Sequence, residues 1–379
     1  MVSLIILLAA GIIAIVIGAE LFTNAVEWAG YLLKLGTGAT GSLLAALGTS
    51  LPETIVPIVA IIAGRPQSTA IATGAVLGSS FMLLGLGTGI TGIAVMMRRS
   101  YPGGVQAFDS SSASGPGSAP SSGSAPSPAS AQTSDFDPGY SSVSGPGSAP
   151  GLKIPAPQSR RDLGVFLAAF SVSLLIMPFP FAVHLAWGIC LIVLYSLYVI
   201  TTLKGSTPTG KTPEPLHITF RKKSTPHWSL VALQLAISVA LLIVGSDLFV
   251  SQIGKAAASI HISPLLLALV AIPLATEFPE TLNSVLWIRS GADSLAFGNV
   301  AGSAAFQSCI LGFIAVSFTP WRLPPVAVIS AVLTICTAAY LLLILRNGHS
   351  RGIYLLMAAL PWTLFVTLEI SLSATGAAH

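Results

Sequence analysis

A short polar phrase occurs twice in this chain, each time inside a long apolar run. Residues 48–54 read Gly48-Thr49-Ser50-Leu51-Pro52-Glu53-Thr54, and residues 275–281 read Ala275-Thr276-Glu277-Phe278-Pro279-Glu280-Thr281. A charged residue at the centre of a bilayer costs roughly 2.5–3.5 kcal/mol on insertion scales. A mid-helix proline also removes a backbone hydrogen bond. Keeping Pro-Glu at membrane depth in both halves of one chain points to a paired cation site at the midplane.

The repetition extends further. Gly18-Ala19-Glu20-Leu21-Phe22 returns as Gly245-Ser246-Asp247-Leu248-Phe249 at an offset of 227, the offset that also relates Glu53 to Glu280. Gly74-Ala75-Val76-Leu77-Gly78-Ser79 returns as Gly298-Asn299-Val300-Ala301-Gly302-Ser303 at an offset of 224. Three motifs recurring in one order are more specific than any of them alone. In membrane transporters such internal repeats point to the binding site.

Composition supports a membrane setting. The chain is 53% hydrophobic and 8% charged, against about 25% charged in a soluble domain. Apolar runs of about 20 residues predict ten spans, with limits near 3–26, 39–62, 70–96, 163–179, 182–203, 229–250, 263–287, 295–317, 324–345 and 352–372. The first run lacks a basic leader and continues into a repeated motif, so it reads as a retained helix. Five spans per half is an odd number, so the halves insert with opposite topology. The expected fold is an all-α polytopic membrane protein of ten transmembrane helices in two inverted five-helix repeats. With the amino terminus outside, only Arg65, Lys255 and Arg322 of the 17 lysines and arginines lie outside. That positive-inside bias places both termini outside.

The expected organisation has helices one to three in residues 1–102, a loop at 103–159, and helices four and five in 160–203. A second loop at 204–228 precedes helices six to ten in 229–379. The 103–159 segment is rich in Ser, Gly, Pro and Ala and repeats Ser-Gly-Pro-Gly-Ser-Ala-Pro at 114–120 and 144–150. It has too little apolar surface to offset its ordering entropy and predicts a disordered cytoplasmic loop. Arg221-Lys222-Lys223 in the second loop reads as a topology determinant. Cys190, Cys309 and Cys336 all fall in apolar spans, with neither metal-site nor disulfide spacing. No basic stripe with interleaved aromatics suggests nucleic acid.

Glu53 and Glu280 are the strongest candidate ligands. Pro52 cannot donate to the carbonyl of Gly48, nor Pro279 to that of Ala275, which leaves carbonyls for a cation. The structural alternative is a protonated glutamate bonded to a neighbouring helix. Thr49, Ser50 and Thr276 add neutral oxygens that hard cations accept, although mid-helix Ser and Thr also bond back to their own helix. Glu277, three residues before Glu280, breaks the symmetry with Ser50. Two carboxylates so close need a divalent cation or a proton between them; the alternative is an outward glutamate near a helix end. Ser79 and Ser303 follow small-xxx-small motifs that permit close helix approach. Gln307, one turn beyond Ser303, could add a carbonyl oxygen; its counterpart is Leu83. Glu20 and Asp247, near the ends of spans one and six, either line an ion entry path or anchor helix ends, and the structural reading is favoured.

At these residues the chain resembles the cation/Ca²⁺ exchanger superfamily in its sodium/calcium exchanger branch, whose two α-repeats are of Gly-Thr-Ser-x-Pro-Glu type. The resemblance covers nearly all of the chain outside 103–159. It implies two inverted five-helix repeats, with ion sites between helices two, three, seven and eight, and helices one and six sliding against that core. It implies that Glu53 and Glu280 are the paired central carboxylates. Ser50, Thr49, Thr276, Ser79 and Ser303 would be neutral ligands, joined by the carbonyls of Ala46 and Pro273. Three positions depart from the family pattern: Leu83 and Gln307 replace its Asn or Asp, and Glu277 replaces its Ser. One acidic group has in effect moved from helix eight to helix seven.

The resemblance implies a secondary antiporter exchanging Ca²⁺ for Na⁺ by alternating access. Exchange of Ca²⁺ or another divalent cation for H⁺ is the alternative, with Glu277 as the coupling group. The transported ions and the lipid bilayer are the expected partners, no cofactor is expected, and the expected location is a prokaryotic inner membrane. An intramembrane enzyme is disfavoured because no His-Glu-x-x-His, Gly-x-Ser-x-Gly or paired-Asp motif occurs. Inverted repeats around midplane carboxylates suit alternating access better than a channel, and a receptor has no need of a doubled ion motif.

Overall fold

The computed structural model describes residues 2–33, 50–65, 67–98, 151–154, 156–204, 214–219, 225–260, 262–289, 291 and 293–374. Ala46 and Thr49, the loop through residue 150, and the Arg221-Lys222-Lys223 run lie outside the described residues.

In the first half, α1 spans Val2–Leu32, α2 Leu51–Ala63 and α3 Ser68–Met97, followed by α4 at Ala156–Leu175 and α5 at Phe181–Lys204. In the second half, α6 spans Trp228–Ser259, α7 Pro264–Thr276 and α8 Phe278–Arg289. Helix α9 begins as Asp293–Phe306, passes through a π-helical turn at Gln307–Leu311, and continues as Gly312–Phe318. Helix α10 is Pro325–Ile344, α11 Gly352–Met357 and α12 Leu360–Ala374.

Local chemistry sets several of these boundaries. Pro52 and Pro264 sit in the first turns of α2 and α7, where no intrahelical donor is needed. The Ser263 hydroxyl caps α7 by accepting from the Leu266 N–H, 3.1 Å away. Helix α2 ends at Gly64, whose φ of 56° is a left-handed terminus that favours glycine.

The helices recur with the sequence offsets. Shifted by 227, α2 overlays α8, and α1 overlays α6 to within a residue. Helix α3 also contains a π-helical turn, at Leu83–Gly87, and a shift of 224 carries it onto Gln307–Leu311. Helix α4 overlays α10 at an offset of 169. The drop from 224 to 169 reflects the Ser/Gly/Pro/Ala-rich insertion before α4.

Among the described residues, seven helices are long and apolar enough to cross a membrane, or eight if the bent pair α7–α8 is one span. Ten spans were expected, and the difference lies at the second and fourth. Helix α2 contributes 13 residues, because the expected span begins among residues that are not described. Helix α4 starts at Ala156 and ends at Leu175, not at 163 and 179. Its first turns carry Arg160, Arg161 and Asp162, which hide the start from a hydropathy reading. The expected loop likewise ends before 159. Residues Gly151–Lys153 form β1, which pairs antiparallel with β2, His349–Arg351, with Leu152 opposite Ser350 and fully buried.

Helices α3 and α9 are buried along most of their length, whereas only a minority of α1, α5 and α6 is buried. The centre of the molecule is therefore the α3–α9 pair, joined there by α2 and the α7–α8 break. Helices α1 and α6 pack on each other at Gly11 and Gly245. A Cβ on Gly245 would come within 2.9 Å of the Gly11 carbonyl oxygen, so both helices need a bare backbone here.

The inter-half segment crosses this pair. The Trp28 indole donates to the Glu214 carbonyl at 2.7 Å, and Asn24 accepts from the His217 N–H at 3.2 Å. Gln234 of α6 donates to the Leu21 carbonyl at 2.8 Å. Asn24 thus has a structural role, and α1 continues past the expected limit of 26 because its last turns are held in this network. Glu20 and Asp247, expected near helix ends, lie well inside α1 and α6, and each has a basic neighbour. Asp247 accepts from Arg65 at 2.6 Å, and Glu20 lies 3.7 Å from the His217 ring.

Candidate cation-binding site

The two repeated phrases fold alike. Each glutamate of a Pro-Glu pair occupies the first turn of a helix, Glu53 in α2 and Glu280 in α8. A helix N-terminus favours a negative group there. The hydroxyls of Thr54 and Thr281, repeat partners, donate back to the carbonyls of Ser50 and Glu277 at 2.9 and 3.0 Å. Helix α7 ends at Thr276 and turns by 44° into α8. Glu277 lies at that break, and its N–H donates to the Pro273 carbonyl at 2.8 Å.

Glu53, Glu277 and Glu280 are all fully buried. They lie within electrostatic reach of one another, so three ionised carboxylates would repel strongly. Glu280 is gripped from both halves. The hydroxyls of Ser50 and Ser303 donate to its Oε1 at 3.2 and 3.0 Å. Asn299 of α9 donates to the Glu280 carbonyl at 3.4 Å.

Helix α3 reaches this point through Gly78. A Cβ there would lie 2.2 Å from the Leu269 carbonyl oxygen and 2.7 Å from Cγ of Pro273. Proline cannot donate to Leu269, so the carbonyl freed by the α7 kink faces the backbone of α3. This close approach brings Ser79 to the break. In the second half, Gly298 lies against Gln158; the segment that would correspond to α7 in the first half is not described.

Several oxygens are buried without a hydrogen-bond partner among the described residues. At this site they are both carboxylate oxygens of Glu53, Oε2 of Glu277 and the hydroxyl of Ser79, with the Thr276 hydroxyl close to Glu53 and the Ser79 hydroxyl close to Glu277. A buried polar atom left unsatisfied costs about 1–3 kcal/mol, more when charged. Hard oxygens in this state are suited to a cation that is cargo, because the cation supplies the missing partner. The Thr276 hydroxyl donates to the Ile272 carbonyl at 3.1 Å, which leaves its lone pairs available. Among the described residues, no three His, Cys, Asp or Glu side chains gather into a ready-made metal cage. The donor set is instead mixed, carboxylates with hydroxyls.

Gln307 departs from expectation. Its carbonyl does not point into the site. Its Nε2 donates to Glu277 Oε1 at 2.6 Å, and its Oε1 accepts from the Ser80 hydroxyl at 3.1 Å. The carboxylate takes the amide's donor end, which turns the acceptor end towards Ser80. Ser80 and Asn299 are the polar neighbours that sequence reasoning missed. For Ser80 the available signal was its place directly after Ser79, opposite Ala304 in the other half.

Comparison with known proteins places these features. The family model described as sodium/calcium exchanger protein matches residues 3–113 and 230–370, spans that include both repeated phrases. CaxA of Alkalimonas amylolytica, which carries the name of an antiporter, is 33% identical over 131 residues, 34% of this chain. That match spans 41% of the relative's own length. The crystal structure of an H⁺/Ca²⁺ exchanger, CAX, superposes with a TM-score of 0.68 at 14% identity, over 98% of this chain and 87% of that one. The sodium-calcium exchanger NCX_Mj, soaked with Na⁺ and Sr²⁺, gives a TM-score of 0.56 at 16% identity, over 97% and 99%. At such identities the likeness is one of fold. The family match covers well over half of the chain, and the protein belongs to the sodium/calcium exchanger protein family.

Proposed function

We propose that this protein is a secondary active antiporter that exchanges Ca²⁺ for Na⁺ by alternating access. The observation that carries the reading is the cross-half site: three buried glutamates from two repeats, where, among the described residues, the Glu53 carboxylate oxygens, Oε2 of Glu277 and the Ser79 hydroxyl make no well-formed hydrogen bond. Glu53, Glu277 and Glu280 supply the charge. Ser50, Ser79, Thr276 and Ser303 supply neutral oxygens, with Thr49 and the carbonyls of Ala46 and Pro273 completing the set. A single Ca²⁺ takes about 6–8 oxygens, so one Ca²⁺ or several Na⁺ compete for the same groups.

In this reading ten helices form two inverted five-helix repeats, with residues 2 and 374 on the outer side of the plasma membrane. The α1–α6 pair slides against the α3–α9 core and exposes the site to each side in turn. Recurrence of both π-helical turns at one offset supports the repeat.

A second reading replaces Na⁺ with H⁺, favoured by one observation. Glu277 adds a carboxylate beside Glu280 where the first half has Ser50. Three carboxylates around one divalent cation leave a negative charge that a proton can neutralise.

The test is ⁴⁵Ca²⁺ uptake into proteoliposomes under an outward Na⁺ gradient and, separately, an outward H⁺ gradient. Uptake driven by Na⁺ and lost in Glu53→Gln supports the first reading. Uptake driven only by H⁺ transfers the function to the second.

A further inference from the structure

Three polar residues at the site, Glu277 and Gln307 of the second half and Ser80 of the first, differ from their repeat partners and form one hydrogen-bonded chain. Glu277 stands where the first half has Ser50 and Gln307 where it has Leu83, while Ser80 stands where the second half has Ala304. The chain runs from the Ser80 hydroxyl to Gln307 Oε1 at 3.1 Å and from Gln307 Nε2 to Glu277 Oε1 at 2.6 Å. All three side chains are buried, with at most 1% of their surface exposed. The polar run has no equivalent in the other half, because Leu83 and Ala304 can neither donate nor accept.

With the Glu277 carboxylate ionised, the direction of the chain is set by chemistry. With the amide reversed, Gln307 Oε1 would face Glu277 Oε1, acceptor against acceptor. The 2.6 Å contact from the Gln307 amide to the Glu277 carboxylate is shorter than the ordinary N–H···O range of about 2.7–3.2 Å. Gln307 begins the π-helical turn of α9. Such a turn changes the angular position of a side chain on the helix. Leu83 begins the matching turn of α3 and has no polar group to direct.

We infer that Ser80 and Gln307 are positioning residues for cation binding: Ser80 orients the Gln307 amide, which holds Glu277 by Oε1 and leaves Oε2 to face the ion. Neither side chain touches the cargo. The consequence is an acidic ligand that presents one oxygen, set from helices α3 and α9 although it belongs to the break between α7 and α8. This inference rests on the Ca²⁺-transport reading.

The test is the concentration dependence of ⁴⁵Ca²⁺ uptake in proteoliposomes, compared among the wild type, Ser80→Ala, Ser80→Thr, Gln307→Leu and the double variant Ser80→Ala/Gln307→Leu. Gln307→Leu copies the residue that occupies the matching turn in the other half. It is expected to raise KM for Ca²⁺ roughly tenfold, as loss of a hydrogen bond to a charged group does, with the maximal rate held within about twofold. Ser80→Ala raises KM by about threefold, Ser80→Thr restores it, and the double variant is no worse than Gln307→Leu alone. An unchanged KM in both single variants, or a double variant whose effect is the product of the two, overturns the inference and leaves the transport reading intact. A fall in maximal rate at constant KM, unrelieved by Ser80→Thr, assigns these residues to folding and also overturns it. Wild-type vesicles that take up no ⁴⁵Ca²⁺ under either gradient overturn the transport reading and the inference with it.

Discussion

Ser50, from the first half of the chain, donates its hydroxyl to Glu280 of the second half across 3.2 Å, and both side chains are fully buried. The first half therefore supplies a donor to a buried carboxylate of the second. Ser303 shares the same carboxylate oxygen. Removing either hydroxyl leaves one donor in place, so Ser50→Ala and Ser303→Ala should each weaken Ca²⁺ transport by several-fold. Their combination should cost more than either, measured as KM for ⁴⁵Ca²⁺ uptake. Equal KM values in all three variants would separate this contact from ion binding.

The Arg98–Asp293 pair ties the end of α3 to the start of α9, with the Asp293 side chain 8% exposed. Arg98→Ala removes the cation from a carboxylate in a mostly buried position. The expected loss is about 3 kcal/mol, the lower end for a buried pair, because Arg98 keeps part of its surface in solvent. Thermal unfolding in detergent reads this directly. Arg98→Met combined with Asp293→Leu should recover most of the loss.

Arg65–Asp247 has the same chemistry in a different setting. Its side chains are 38% and 49% exposed. Arg65→Ala should shift stability by no more than about 1 kcal/mol, and the shift should shrink further at high salt. A loss as large as that of Arg98→Ala would show that exposure is not what separates the two pairs.

Gly78 and Gly164 are both helical glycines with opposite demands. A Cβ on Gly78 meets the Leu269 carbonyl oxygen at 2.2 Å, whereas one on Gly164 meets nothing within 4 Å. Gly78→Ala should lower the melting temperature and impair transport, since α3 would be pushed off the α7 kink. Gly164→Ala should be neutral or stabilising by up to about 1 kcal/mol, the helix-propensity difference. The comparison needs only expression level and melting temperature of the two variants.

Much of this arrangement is legible in the sequence because a repeat makes two independent copies of each signal. Glu53 and Glu280 lie at equivalent first turns because Pro52 and Pro279 impose the same helix start on both halves. The boundaries were less legible where polar residues continue a helix. Arg160, Arg161 and Asp162 begin α4 ahead of its apolar stretch, and the last turns of α1 are held by contacts from Glu214 and His217. Gln307 shows a different limit. Its residue type suggested a carbonyl ligand, but which end of an amide faces a site depends on its neighbours. Those neighbours, Glu277 and Ser80, are adjacent only in the fold. The two π-helical turns left no trace in hydropathy.

The central claim is that the carboxylates shared between the halves bind the cation, and equilibrium binding of ⁴⁵Ca²⁺ to the purified protein tests it most directly. The account predicts saturable binding by the wild type, displaced by the coupling ion and abolished in both Glu53→Gln and Glu280→Gln, with the variants still folded by their melting curves. Binding that survives in both folded variants would contradict it.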